Sequence, residues 1–314
     1  MQGYGLRGSS AESHPFACAP DVVRVPTGIV NCYLVGDAGG WVLVDTGIGG
    51  FAPAIRRAVE ERYGSGATPL AIVLTHGHFD HAGNVNTLCH RWHQWNVPVY
   101  AHALELPYLT GQSDYPPQDP TVGGAMAFMS RVFPCTGRKI VANLRPLEGT
   151  QIPEMPGWTW HHTPGHTPGH ISLFRESDRL LLAGDAMATM DLDSWAGQMR
   201  RRPQPSPPPA PMTTDWEAAR RSVLLLASLE PNAVAAGHGL PMAGDGVAEA
   251  VRHFSRTFTP PARGRYVTIP ATAGPSGVEW LPPPVPDPFR KQIAGVALVA
   301  LGAVGLAAAA RSRR

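Results

Sequence analysis

The chain has 314 residues, a net charge of +2 and 43% hydrophobic residues, enough apolar material for one large domain or two. So small a net charge gives no electrostatic case for a nucleic-acid partner. The four cysteines, Cys18, Cys32, Cys89 and Cys135, are scattered without C-x-x-C spacing, which suits reduced cytosolic thiols better than a disulfide framework.

Residues 1–19 read as an N-terminal leader segment with neither the basic start nor the apolar stretch of a secretory signal. Gly28 to Val35 and Trp41 to Asp45 then read as strands joined by the turn Gly36-Asp37-Ala38-Gly39-Gly40, whose glycines make no dinucleotide fingerprint. Phe51 to Tyr63 places Ile55, Val59 and Tyr63 at helical spacing. The short apolar run Leu70–Leu74 leads into Thr75-His76-Gly77-His78-Phe79-Asp80-His81-Ala82-Gly83, which packs three histidines and an aspartate into six positions. Imidazole and carboxylate donors suit Zn, Fe or Mn. In a loop leaving a strand, residues two apart can project to one side. His76 and His78 therefore read as a grip on one ion, with Asp80 and His81 carried round the turn toward a second.

A helix is expected near Asn84 to Trp95, then a strand from Val97 to Ala101 with His102 at its end, near the ligand edge. Thr163-Pro164-Gly165-His166-Thr167-Pro168-Gly169-His170 is a stiff turn between strand-like runs at Trp158–Trp160 and Ile171–Phe174. It can hold His166 at a strand end, with His170 reading as a hydrogen-bonding support. Leu180–Ala183 ends in Gly184-Asp185, and Ala233–Ala236 ends in Gly237-His238-Gly239. Four ligand-bearing segments thus each follow or interrupt a short apolar strand, which is how an α/β scaffold gathers distant residues into one cleft. Thr214-Asp215-Trp216-Glu217 reads as a capping box opening a helix to about Leu229, and a last helix spans roughly Val247 to Phe258. Two long irregular segments, 107–124 and 187–212, the second with Arg200-Arg201-Arg202 and a proline-rich stretch, are expected to be lids or substrate-shaping loops.

His-x-His-x-Asp-His, followed in order by Thr-Pro-Gly-His, Gly-Asp and Gly-His-Gly, resembles the metallo-β-lactamase-fold hydrolase superfamily over roughly residues 20 to 255. The resemblance implies an α/β fold, a four-layer αββα sandwich at 20–258 with two metal ions at one edge. Carried over residue by residue, it implies that His76, His78 and His166 bind the first ion and that Asp80, His81 and His238 bind the second. Asp185 would bridge both, and Asp45 would be the structural aspartate that supports the ligand loop. No cysteine matches the metal-binding cysteine of the zinc β-lactamases, and an aspartate at the bridging position resembles the glyoxalase II, lactonase and ribonuclease Z branches. The expected activity is hydrolysis of a small ester, thioester or lactone by a hydroxide bridging two divalent ions, with Asp80 orienting it or accepting its proton. Zinc is the default metal, and iron or manganese fits the same donors. The alternatives are a mono-iron oxidoreductase of the persulfide dioxygenase type, against which the full second set of ligands argues, and a phosphodiesterase or nuclease, against which the charge argues. Nothing resembles the basic glutathione-binding pattern of glyoxalase II itself.

Residues 259–292 form a Pro-rich extension, with a hairpin expected from Arg265–Ile269 to Val278–Leu281. Its Gly-Arg-Tyr-Val and Leu-Pro-Pro-Pro motifs, and Leu104–Gly111, are similar to a bacterial subgroup of metallo-hydrolases. Residues 293–310 are 18 positions without a charge, between Arg290-Lys291 and the basic tail 311–314. At ~1.5 Å per residue they would span ~27 Å. They read as a single transmembrane helix that anchors a cytoplasmic-side catalytic domain to a bacterial cell membrane. A packed helix on a soluble cytoplasmic protein is the alternative. The partners expected are therefore a small-molecule substrate and the membrane.

Overall fold

The computed structural model describes residues 17–92, 96–200, 202–287 and 289 and contains two large sheets. The first has seven strands in chain order: β1 (Ala17–Ala19), β2 (Val22–Thr27), β3 (Val30–Asp37), β4 (Gly40–Val44), β5 (Ala71–Val73), β6 (Pro98–Ala101) and β7 (Asn143–Pro146). The first four form an antiparallel meander, and β4 through β7 run parallel. The second sheet has the order β12-β11-β10-β9-β8, built from β8 (Trp158–His162), β9 (Ile171–Arg175), β10 (Leu180–Gly184), β11 (Ala233–Ala236) and β12 (Met242–Ala243). Within it β10 and β11 are parallel.

Alternation along the strands sorts the core into layers. Leu34, Leu43 and Ile72 pack against α1 (Ala52–Tyr63) and α2 (Val85–Arg91), where they meet Ile55, Val59 and Leu88. Their strand neighbours Tyr33, Val35, Val42, Val44 and Val73 turn the other way and meet Leu173, Leu180 and Leu182 of the second sheet. Leu181 and Val234 face outward again, onto α6 (Trp216–Ser228) and α7 (Val247–Thr257) through Trp216, Val223 and Val251. A side-chain period of two, with both faces covered, gives the expected αββα stacking. The shorter helices are α3 (Leu106–Leu109), α4 (Gly124–Ser130) and α5 (Trp195–Arg200).

Several expectations need correction. The strand expected from Gly28 starts later, because Gly28-Ile29 is a turn, and β2 lies before it; Pro26 sits near the end of β2, where a missing N–H costs little ladder pairing. The helix after the histidine cluster ends at Arg91, and residues 93–95 lie outside the described residues. Asp215, and not Thr214, caps α6: its carboxylate accepts from Ala218 N–H at 2.9 Å. The C-terminal hairpin pairs β13 (Thr272–Gly274) with β14 (Gly277–Trp280). Residues 265–269 are not a strand, because Tyr266 is buried there and donates to the Pro117 carbonyl at 2.7 Å. The leader apart from Ala17, Cys18 and Ala19, the uncharged run 293–310, the tail 311–314 and Arg201 lie outside the described residues. Among the described residues no helix is long and apolar enough to cross a membrane.

The layering predicts unequal costs of truncation. Leu43→Ala, between sheet and helices, should lower unfolding free energy by about 2–5 kcal/mol in urea titration, whereas Leu225→Ala, on the open face of α6, should cost under ~1 kcal/mol.

Candidate metal centre

Parallel strands bring their C-terminal ends to one edge, the place where open α/β sheets present side chains to ligands. Asp45 follows β4, the His76–His81 loop follows β5, Asp185 follows β10 and His238 follows β11, while His166 comes from the β8–β9 turn. All seven residues expected from the sequence as ligands meet there, and every one is buried. Their donor atoms fall into three groups with internal separations within 4.8 Å: His76, His78 and His166; Asp80, His81 and His238; and His76, His81 and Asp185. Asp185 stands between the first two sets. Its Oδ2 lies 3.2 Å from His238 Nε2, 3.4 Å from His81 Nε2 and 3.5 Å from His166 Nε2. His78 Nδ1 approaches His166 Nε2 to 3.0 Å, and His238 Nε2 is 3.7 Å from Asp80 Oδ2.

The partners on the outer side of the rings decide which nitrogen carries the proton. His238 Nδ1 faces the Ile29 carbonyl at 2.9 Å, which can only accept, so Nδ1 donates and Nε2 turns a lone pair inward. His81 Nδ1 donates likewise to Asp45 Oδ2 at 2.8 Å. Thr75 Oγ1 gives its own proton to Asp45 Oδ2 and therefore accepts from His76 Nδ1 at 3.1 Å. Thr213 Oγ1 gives its proton to the Pro209 carbonyl and accepts from His166 Nδ1 at 3.4 Å. Four imidazoles are thus held with Nε2 facing one small volume. His76 Nε2, His81 Nε2, His238 Nε2, Asp80 Oδ1 and both oxygens of Asp185 are buried without a hydrogen-bond partner. So many desolvated acceptors pointing together would be costly unless a cation met them, and nitrogen and carboxylate oxygen in this ratio fit zinc-type divalent ions.

Burial pushes His76 and His166 well below the usual imidazole range and His78 down to about 3, keeping all three neutral. Burial acts the same way on His81, but the carboxylates of Asp185, Asp45 and Asp80 outweigh it and raise its pKa. Asp185, which burial alone would push up, is held well below the carboxylate range by His238 and His81. Burial is likewise outweighed at His238 by the carboxylates of Asp185 and Asp80, which raise its pKa. A neutral imidazole is the ligating form, so a bound cation would take the place of the Nε2 proton on His81 and His238.

The supporting residues are partly those expected. Asp45 accepts from Thr75 N–H and Oγ1, each at 2.8 Å, as well as from His81, and it does so from a backbone with φ of 59°. His170 accepts the Asp185 N–H at its Nε2 at 2.8 Å and reaches Thr163 Oγ1 with Nδ1 at 2.9 Å, so it supports the site from behind. His102 does not join the site: it stacks on His162 with centroids 4.2 Å apart. Gly237 is required by space, since a Cβ there would lie 2.1 Å from Asp185 Oδ1 and 2.7 Å from His81 Cε1.

Sequence reasoning misses Glu105. It is fully buried; Oε2 accepts from Gly77 N–H at 2.9 Å and from the Tyr115 hydroxyl, and Oε1 accepts from Thr167 Oγ1 at 2.7 Å and Gly169 N–H at 2.9 Å. One carboxylate therefore pins the His76–His81 loop to the His166 loop. The available signal was an acid amid Leu104, Leu106, Pro107 and Tyr108, just past a strand end on the ligand edge. The same packing corrects the lid reading of 107–124: Tyr108, Leu109, Tyr115, Asp119 and Thr121 are all buried, and Tyr115 packs 4.5 Å from the His78 ring. The start of 187–212 is also tied down, with Thr189 N–H donating to the His238 carbonyl at 2.9 Å.

Residues 25–238 match the family model described as "Metallo-beta-lactamase superfamily". The chain is 41% identical over 234 residues to Probable metallo-hydrolase YflN of Bacillus subtilis (strain 168), a match covering 73% of this chain and 88% of that relative. It is 31% identical over 183 residues to Probable metallo-hydrolase YybB of the same organism, covering 57% of this chain and 72% of the relative. Among solved structures, a metallo-beta-lactamase family protein from Thermus thermophilus shares the fold, with a TM-score of 0.51 and 22% identity over 76% of this chain and 80% of that one.

Glu105→Ala would leave Gly77 N–H, Gly169 N–H and two hydroxyls without their acceptor. A loss of about 3 kcal/mol or more is expected in urea unfolding. A loss below ~1 kcal/mol would show that the two loops are held by other contacts.

Proposed function

The chain belongs to the metallo-beta-lactamase superfamily, and from that premise we propose that it is a metallo-hydrolase holding two divalent ions, zinc by donor type, and cleaving a small ester, thioester or lactone. The observation that carries this reading is the set of inward Nε2 lone pairs around Asp185, each fixed by an acceptor on the ring's outer side. His76, His78 and His166 would hold one ion, Asp80, His81 and His238 the other, and Asp185 would serve both. Ions bound there supply Lewis-acid polarisation of a carbonyl and lower the pKa of water. Asp80 presents Oδ2 toward His238 and leaves Oδ1 without a hydrogen-bond partner. That oxygen is suited to orient the attacking water and accept its proton. Two relatives named as probable metallo-hydrolases agree with hydrolysis, and the complete second triad supports two ions over a mono-iron centre.

Elemental analysis of the purified chain should return close to two divalent ions, while a single iron would overturn the reading. A panel of thioesters, lactones, phosphodiesters and β-lactams should show turnover among the acyl compounds. Asp80→Asn should lower kcat at least ~100-fold, and near-normal turnover would remove Asp80 from the proposed role.

For 293–310 the anchor reading rests on the uncharged run and its basic flanks. Deleting 293–314 should move the protein from the membrane fraction to the supernatant, and an unchanged distribution would exclude the anchor.

A further inference from the structure

A cavity of about 330 Å³ lies beside the centre, walled by Ile29, Met126, Met190, Leu192 and Leu240. We infer that it receives the acyl chain of the substrate, and that the substrates are medium-chain acyl esters, thioesters or lactones; this rests on the hydrolase reading above. Its position is fixed by one ring. The Nδ1 of His238 donates to the carbonyl of Ile29, a wall residue, at 2.9 Å, while its Nε2 lies 3.2 Å from Asp185 Oδ2. Gly239 and Leu240, which follow His238 directly in the chain, also line the cavity, so it adjoins the ligand cluster at that residue. The strap that follows Asp185 closes another side. Thr189 donates N–H and Oγ1 to the His238 carbonyl at 2.9 and 3.0 Å, and Met190 and Leu192, the next wall residues, pack with Ala188 and with Met126 of α4.

The chemistry of the wall selects an apolar occupant. Met126, Met190 and Leu192 are buried, and two flexible thioethers adapt to chains of different shape. The polar wall side chains are tied to the fold: Arg24 Nη1 donates to Asn31 Oδ1 at 2.9 Å, Asn31 Nδ2 donates to the carbonyls of Ala236 at 3.0 Å and Gly239 at 2.7 Å, and Gln198 Nε2 donates to the Leu192 carbonyl at 2.7 Å. The volume lies within the range of small-molecule pockets. Each methylene moved from water into such a wall contributes ~0.8 kcal/mol, or about fourfold in affinity.

The test uses the full metal-loaded chain. Calorimetry with sodium butyrate and sodium decanoate reads the cavity directly, and kcat/KM along a series of p-nitrophenyl esters from acetate to decanoate reads it in turnover. Affinity and kcat/KM should rise about fourfold per methylene until the cavity is full. Met126→Trp, which fills the cavity, and Ile29→Glu, which places a charge at a half-exposed wall position where water can still solvate it, should both flatten that gradient. Equal binding of butyrate and decanoate, or a gradient that persists in both variants, overturns the assignment. Decanoate binding with no turnover of any ester, thioester or lactone would instead keep the cavity and refute the hydrolase reading.

Discussion

Everything at the centre depends on which ring nitrogen of each histidine carries its proton. A neutral imidazole has one lone pair, and the group behind the ring decides where it points. The Ile29 carbonyl, the Asp45 carboxylate and two hydroxyls whose own protons are already given away leave four rings a single arrangement. The inward aim of the Nε2 atoms is thus set by the fold before any ligand arrives. Preorganisation of this kind is the usual contribution of residues behind a metal site. The cost is concentrated in a few atoms: buried acceptors at close quarters, and an Asp45 backbone in the left-handed region.

Residues whose chemistry shows in sequence were readable. Histidine and aspartate at the ends of apolar runs announce themselves, because metal ligation needs those side chains and strand ends supply the positions. Residues that act through geometry alone were harder. Asp45 was placed only through resemblance. Glu105 was not placed at all, because one acid in an apolar stretch looks like any other until the two loops it clamps are side by side. The irregular composition of 107–124 suggested a lid or substrate-shaping loop, yet its Tyr108 and Tyr115 are buried and Tyr266 packs onto it through the Pro117 carbonyl. Aromatic content was the better guide there than proline content. The layers followed from period-two alternation, whereas β2, with Pro26 near its end, had no counterpart among the expected strands.

The two sides of the His238 ring give the site a division of labour. Nε2 faces the carboxylates and Nδ1 the Ile29 carbonyl, and the strap from Met187 to Leu192 is tied to the same residue through the hydrogen bonds of Thr189 to the His238 carbonyl. Changes in the strap will therefore act on the ring as well.

The bond between His238 and Ile29 joins residues 209 positions apart, and Asn31 reaches Ala236 across 205. Contacts of such sequence separation form late, since the loop entropy between them must be overcome first. His76, His78 and His81, by contrast, are neighbours in any conformation of the chain. Metal present during refolding can therefore meet three imidazoles before the rest of the centre exists, and whatever it gains there stabilises the unfolded chain too. Under the proposed ligand set, the net stabilisation by metal would come mainly from Asp185, His166 and His238, which only the finished fold supplies.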